Sequence, residues 1–257
     1  MSDVAVPAQA RVLTTRALRM TWRTPDALVV ALTLPVLLML LFVYLFGGAL
    51  DPQGHYVDYV VPGVLLLCAT FGASTTAVAV CQDMTRGVVD RLRSLDVGGP
   101  AFLTGHVVAS VARNAVSTLL VLGVALAIGF RSPAGPLGWL GAAGVLAMFV
   151  LALSCFAAAV GLLARSPDVA NGLTFFLAFL PYPSSAFVPV ATMPGWLQAF
   201  AAHQPVTPVV DSMRRLFLGV PVGGEVWVAT AWCTGLLVAS VALSAVLFAR
   251  RTSSPTT

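Results

Sequence analysis

The sequence predicts an all-α membrane protein with six transmembrane helices, and three observations lead to this prediction. Hydrophobic residues make up 58% of the chain and charged residues only 9%, whereas soluble domains carry about 25% charged residues. Apolar runs recur at lengths that can cross a lipid bilayer as a helix. Charged residues gather between these runs, and arginine is unevenly divided between the two sides.

The chain begins with a polar segment and an amphipathic stretch that together form the region 1–26. Arg16, Arg19 and Arg23 share one helical face, and Trp22 stands at the end of the stretch, where a ring at the membrane interface belongs. Thr24 caps the next helix, which begins with a proline. We therefore expect an N-terminal interfacial helix that lies in the plane of the membrane.

A six-span domain over residues 27–251 follows, with a short tail over 252–257. Its predicted spans are 27–48, 59–80, 107–130, 137–163, 169–187 and 226–249. The fifth is interrupted by Pro181 and Pro183. Six spans place both termini on one side, and ten arginines lie on that side against three on the other. The excess predicts cytoplasmic termini in a multi-pass plasma-membrane protein.

The segment between the second and third spans is a dense block of charge at about 83–96. If it is helical, Asp83, Arg86, Asp90 and Arg93 fall on one side, with apolar residues on another. This pattern predicts a cytoplasmic amphipathic helix that offers its polar side to a partner. A solvated loop with a single helical turn is the alternative.

The segment before the last span, about 188–224, is too apolar for a linker and too rich in proline and glycine for a span. Two short helices are predicted in it, over 195–202 and 208–218. Six spans place these two helices on the extracellular side.

No catalytic or metal-binding motif stands out in the sequence, and the protein is not expected to be an enzyme. Arg113 is the exceptional charge within a span. It either extends its side chain to the nearby cytoplasmic interface or contacts a neighbouring helix or a substrate pathway. Paired ionisable groups of the kind that ion-driven transporters use are missing from mid-span positions. Energy for any transport is therefore expected from a partner that hydrolyses nucleotide.

Three stretches resemble the membrane subunit of ABC type 2 exporters, in particular the daunorubicin/doxorubicin-resistance permease group. They are the arginine-bearing helix before the first span, residues 86–95 (RGVVDRLRSL), and residues 185–200 (SAFVPVATMPGWLQAF) followed by 204–208 (QPVTP). The second stretch is similar to the coupling helix of that family, and the third is similar to its extracellular helical hairpin before the last span. Two departures occur there: Asp83 replaces a frequent glutamate, and Asp96 stands where proline is common.

The resemblance implies a bacterial permease that pairs with a second copy or a paralogue, and with two separate nucleotide-binding ATPase subunits. ATP and Mg²⁺ would bind those subunits, so no cofactor or metal is expected on this chain. Membrane lipids and a hydrophobic substrate are the other expected partners, and nucleic acid is not. The residues that would contact the ATPase are Asp83, Arg86, Gly87, Asp90, Arg91 and Arg93.

The resemblance also implies a substrate path and an outer gate. Candidates for the path are Tyr56, Tyr59, Phe71, Arg113, Phe175, Phe176, Phe179 and Tyr182. Each of the aromatic residues is equally compatible with core packing or contact with lipid. Candidates for the gate are Phe187, Pro189, Met193, Pro194 and Trp196.

The expected function is ATP-driven export of a hydrophobic or amphiphilic small molecule, such as a drug, an antibiotic or a lipid. Export of a lipid-linked glycan or a cell-envelope lipid is the alternative within this class. A membrane scaffold or receptor without transport activity is the alternative from another class. The sequence does not distinguish a drug, a lipid-linked glycan and a cell-envelope lipid as the exported molecule.

Overall fold

The computed structural model describes residues 25–51, 54–88 and 99–253, and within these ranges the protein is helical, without β-strands. The all-α prediction is therefore confirmed. The predicted interfacial helix lies outside the described residues, with Arg16, Arg19, Trp22 and Arg23. The α-helices are α1 (Pro25–Leu41), α2 (Gly47–Leu50), α3 (Tyr56–Thr85), α4 (Gly99–Ala127), α5 (Pro136–Leu163), α6 (Pro167–Phe179), α7 (Gly195–His203), α8 (Val206–Phe217) and α9 (Glu225–Ser253).

Within the described residues, five helical segments are long and apolar enough to cross a membrane. They are Thr33–Leu50, Tyr56–Thr85, Ala101–Ala127, Pro136–Leu163 and Glu225–Phe248. The first includes a π-helical turn over Phe42–Phe46, which joins α1 to α2. These segments correspond to the predicted spans one to four and six, and they identify a multi-pass membrane protein.

Helix α3 is the centre of the bundle, because it packs against α1, α4, α5, α6 and α8. Its residues from Val60 to Thr70 are all buried. Helix α5 lies beside it and also packs against α8 and α9. Small residues allow close approach: a Cβ atom on Gly161 of α5 would lie 2.5 Å from the carbonyl oxygen of Ala77 in α3.

The predicted fifth span is not one continuous helix. Helix α6 ends at Phe179, eight residues before the predicted end, because Pro181 and Pro183 cannot donate backbone hydrogen bonds. The chain then continues as buried turns. Cys81 of α3 donates to the carbonyl oxygen of Ala164, and Tyr56 at the other end of α3 donates to that of Phe187. Residues 164–187 therefore join the two ends of α3 as a short helix and a non-helical segment.

The region predicted as an external hairpin contains α7 and α8, preceded by a short 3₁₀ turn over Val190–Thr192. Helix α8 is strongly amphipathic, with Val209, Val210 and Met213 buried between α3, α5 and α9. Its charged residues Asp211 and Arg214 lie beside the non-helical segment. The packing of α8 thus brings charge against the broken part of the bundle.

Candidate functional site

The end of α3 at Thr85 carries the first part of the predicted coupling segment. Arg86 follows the helix and is exposed, and Gly87 adopts a left-handed φ of +68° that ends the helix. The amide of Gly87 donates to the carbonyl oxygen of Met84. The predicted start of the coupling helix at residue 83 is therefore wrong. Asp83 belongs to α3, and Gly87 interrupts the helical conformation after Arg86.

Asp83 faces the interior of the bundle. It is only 5% exposed, and its Oδ2 atom lies 3.1 Å from Nε2 of His106 in α4. The ring of His106 in turn packs edge-on against Phe102. Placing Asp83 on the exposed polar side was wrong, because this contact ties α3 to α4. The positions of Asp90, Arg91 and Arg93 lie outside the described residues.

Arg113 lies at the middle of the bundle. It is the fifteenth of 29 residues in α4, which begins at Gly99, well before the predicted start of the span. Its Nη2 atom donates to Oγ1 of Thr76 at 2.7 Å and to the carbonyl oxygen of Gly72 at 3.2 Å. The contact with a neighbouring helix is therefore the alternative that the structure shows.

Hydroxyl groups continue this arrangement between α3, α4 and α5. Thr76 donates to Oγ of Ser110 at 2.7 Å, and Ser110 lies 2.9 Å from Oγ of Ser154. Asn114 donates to the carbonyl oxygen of Ser110. We call Gly72, Thr76, Ser110, Arg113, Asn114 and Ser154 the central network. It holds three transmembrane helices together by polar contacts in an apolar interior, where such contacts favour one register.

The other end of α3 holds the non-helical segment. Carbonyl groups outside a helix need partners in an apolar environment, and side chains supply them at alternate residues. Gln204 donates to the carbonyl oxygen of Pro183, Tyr59 donates to that of Ser185, and Tyr56 to that of Phe187, at 2.7, 3.0 and 2.7 Å.

Arg214 connects this segment to two helices. Its Nη2 atom donates to the carbonyl oxygens of Ser185 and Tyr59, and its Nη1 atom donates to Asp211 at 2.7 Å. The guanidinium carbon also lies 3.8 Å from the centre of the Tyr59 ring, a cation–π contact. Ser185 closes the arrangement by donating to Asp211. We call Tyr56, Tyr59, Ser185, Asp211 and Arg214 the clamp.

The residues predicted to line a substrate path form separate groups. Phe175, Phe179 and Tyr182 make successive ring contacts, with centroids 4.8 and 5.8 Å apart, and Tyr56 stacks on Tyr59 at 5.9 Å. Tyr56 and Tyr59 belong to the clamp, and Arg113 belongs to the central network. Phe71 and Tyr182 are half-buried, and α6 exposes Phe175, Phe176 and Phe179 on its outer surface. These three rings face away from the bundle.

The predicted gate residues are divided between the interior and the surface. Phe187 is buried and stacks between Phe42 and Tyr182, with ring centroids 4.5 and 5.4 Å away. Trp196 is 76% exposed. Pro189 and Pro194 are exposed too, and Met193 is half-buried.

Sequence reasoning missed Asp211, Gln204 and the role of Arg214. Arg214 entered it only as a charge on one side of the membrane. The available signal was the spacing of Asp211 and Arg214, three apart in a short amphipathic helix that follows a proline-broken span. Such a pair forms readily on a helix, but the sequence does not show which carbonyl groups are free.

Comparison with known proteins agrees with this architecture. The chain matches the ABC-2 type transporter family over residues 8–218. It is 33% identical over 197 residues to the daunorubicin resistance ABC transporter permease protein DrrB1 of Streptomyces coeruleorubidus, covering 76% of this chain and 70% of that protein. It is 28% identical over 233 residues to the probable doxorubicin resistance ABC transporter permease protein DrrC of Mycobacterium tuberculosis, covering 90% and 84%. The chain is therefore an ABC transporter permease of the ABC-2 type family.

Proposed function

We propose that this chain is the membrane subunit of an exporter that moves a hydrophobic or amphiphilic small molecule out of the cytoplasm or the inner leaflet. The observation that carries the proposal is its 33% identity to a permease named for daunorubicin resistance. ATP is hydrolysed on separate subunits. This chain supplies the path through the membrane and no catalytic group.

The ATPase contacts the segment that joins α3 to α4. Arg86 is exposed at the end of α3 and supports this assignment, and Asp90, Arg91 and Arg93 follow it in the sequence. Asp83 acts indirectly, by holding α3 to His106. A displacement of this segment is thus transmitted to both helices together.

A second permease copy or a paralogue completes the path. The proposal is supported by exposed apolar side chains on α1 and α6, including Leu37, Phe175 and Phe176. In this arrangement these apolar side chains face the partner copy or lipid. Both termini lie in the cytoplasm, so a reporter active only outside the cytoplasm stays silent when fused after Arg251; activity at that position contradicts this orientation.

The test is co-purification of the tagged full-length chain with an ABC ATPase encoded beside it, followed by export of daunorubicin from cells. Arg86→Ala and Asp90→Ala should each lower ATPase recovery and export. The matched control is Arg165→Ala, an exposed arginine in the loop between α5 and α6. Unchanged recovery and export in both variants would remove this segment from the coupling role.

The cargo is tested separately from the ATPase. Daunorubicin, a lipid-linked glycan and a cell-envelope lipid are compared as stimulators of ATP hydrolysis by the complex. Stimulation by the glycan or the envelope lipid alone assigns the protein to envelope export. Recovery of the chain without any ATPase contradicts the transport proposal and favours a membrane scaffold.

A further inference from the structure

Helix α3 connects two regions of different character. At its Thr85 end the chain continues into the charged segment with Arg86. At its Tyr56 end the helix binds residues 183–187. Contacts between the clamp and this segment come from both α3 and α8. A movement of one end of α3 therefore has a direct mechanical route to the segment at the other end.

We propose that residues 183–187 form a gate at the Tyr56 end of the bundle and that Arg214 is its positioning residue. The Arg214 guanidinium joins the segment to α3, so that a displacement of α3 carries the gate with it. This inference rests on the proposed function, because it requires an ATPase that displaces the Thr85 end of α3.

The donor geometry explains why an arginine is needed. Three nitrogen atoms of Arg214 point to three groups: Nε and Nη2 to the carbonyl oxygen of Tyr59, Nη2 to that of Ser185, and Nη1 to Asp211. The planar group also stacks on the Tyr59 ring. A lysine keeps the charge, but its single nitrogen atom does not reproduce this fork or the stacking.

The contact between α3 and the segment is too close for independent sliding. A Cβ atom built on Gly63 would lie 2.6 Å from Cβ of Ala186 and 2.7 Å from its carbonyl oxygen. The backbones therefore touch directly at this point, and the side chain of Ser184 next to it is completely buried. The burial of Ser184 gives a measurable reporter of whether the segment is held.

The experiment introduces Ser184→Cys into a chain whose four native cysteines are replaced by alanine. The full-length permease and its ATPase are placed in lipid nanodiscs, where both faces are accessible to a membrane-impermeant maleimide. Labelling rates are measured without nucleotide and with ATP plus orthovanadate. The test variant is Arg214→Lys, and the matched control is Arg215→Lys. Arg215 is the exposed neighbour, and it pairs with Glu225 at 3.3 Å.

With Arg214 present, the labelling rate should differ between the two nucleotide conditions. Arg214→Lys should raise the labelling rate measured without nucleotide by about tenfold, the scale of a lost charge-assisted hydrogen bond. It should also make the labelling rate independent of nucleotide. Arg215→Lys should leave both rates unchanged. The midpoint of thermal denaturation is measured for each variant as well. It distinguishes release of the segment from general unfolding.

Two results would overturn the proposal: an Arg214→Lys variant that keeps the nucleotide-dependent difference, or a parent protein whose labelling does not respond to nucleotide. If Arg214→Lys does not yield folded protein, Asp211→Asn replaces it, since it removes the negative charge that holds the Arg214 guanidinium and weakens the acceptor of the Ser185 hydroxyl. A wild-type response to nucleotide in Asp211→Asn then counts against Arg214 as the positioning residue of the gate. Absence of the ATPase from the purified complex is a different result and contradicts the proposed function itself.

Discussion

Two partly buried arginines of the bundle, Arg113 and Arg214, are satisfied in different ways. Arg113 lies between regular helices, where backbone carbonyl groups are already used within the helix. It shares the carbonyl oxygen of Gly72 with the hydroxyl groups of Thr75 and Thr76. Arg214 lies beside a broken helix, and it binds the carbonyl oxygen of Ser185 together with the carboxylate of Asp211.

This difference shows that the role of a buried arginine depends on the backbone it meets. In the central network the carbonyl oxygen of Gly72 has two hydroxyl donors besides Arg113. In the clamp the carbonyl group of Ser185 lies outside a helix because α6 ends at Phe179, so Arg214 and Tyr59 replace its missing backbone hydrogen bond. We therefore expect the fold to depend more on Arg214, because this arginine also neutralises the carboxylate of Asp211.

The largest expected effect comes from replacing each arginine by methionine, which keeps the volume and removes the charge. Arg214→Met leaves the carboxylate of Asp211 without its cation and should destabilise the fold by about 3 kcal/mol. Arg113→Met leaves the carbonyl oxygen of Gly72 with two hydroxyl donors and should cost about 1 kcal/mol. Thermal denaturation in detergent micelles measures both, and equal losses would show that the two arginines do not differ as described.

The second comparison uses the two glycines of α3 that face these networks. A Cβ atom on Gly63 meets the backbone of Ala186 at 2.7–2.8 Å, whereas one on Gly72 meets the side-chain amide of Asn114. A backbone cannot move aside as readily as a side chain. Gly63→Ala should therefore cost about 2 kcal/mol, toward the upper part of the usual range for overpacking.

Gly72→Ala should cost about 1 kcal/mol or less, because Asn114 can rotate and alanine favours the helix. The measurement is again thermal denaturation, with Gly144→Ala in α5 as the control, since open space surrounds that position. A larger loss for Gly72→Ala than for Gly63→Ala would mean that the central network is the more rigid of the two regions.

The sequence predicted the helical class, five of the crossing segments and the break at Pro181, because hydropathy and proline chemistry act locally. It predicted the third span from residue 107, where the apolar run begins, whereas helix α4 already begins at Gly99. It assigned Tyr56 and Tyr59 to a substrate path because aromatic residues give no local sign of their partners. Their carbonyl acceptors lie more than a hundred residues away in the chain.

The third comparison uses Tyr56 and Tyr59, which distinguish single from shared contacts within the clamp, and it contains the smallest expected effect. Tyr56 donates to the carbonyl oxygen of Phe187 at 2.7 Å, and that of Ser185 receives both Tyr59 and Arg214. Tyr56→Phe should therefore cost about 1–2 kcal/mol, the penalty of a buried acceptor that loses its donor.

Tyr59→Phe should cost at most about 0.5 kcal/mol, since Arg214 still serves the same oxygen and the ring still lies under the guanidinium group. The decisive measurement is the double variant Tyr59→Phe with Arg214→Lys. If the clamp shares its acceptor as the geometry indicates, the double variant loses more stability than the sum of the single losses, because the second donor is removed only there. Additive losses would show that the two donors act independently and that Ser185 is held by other means.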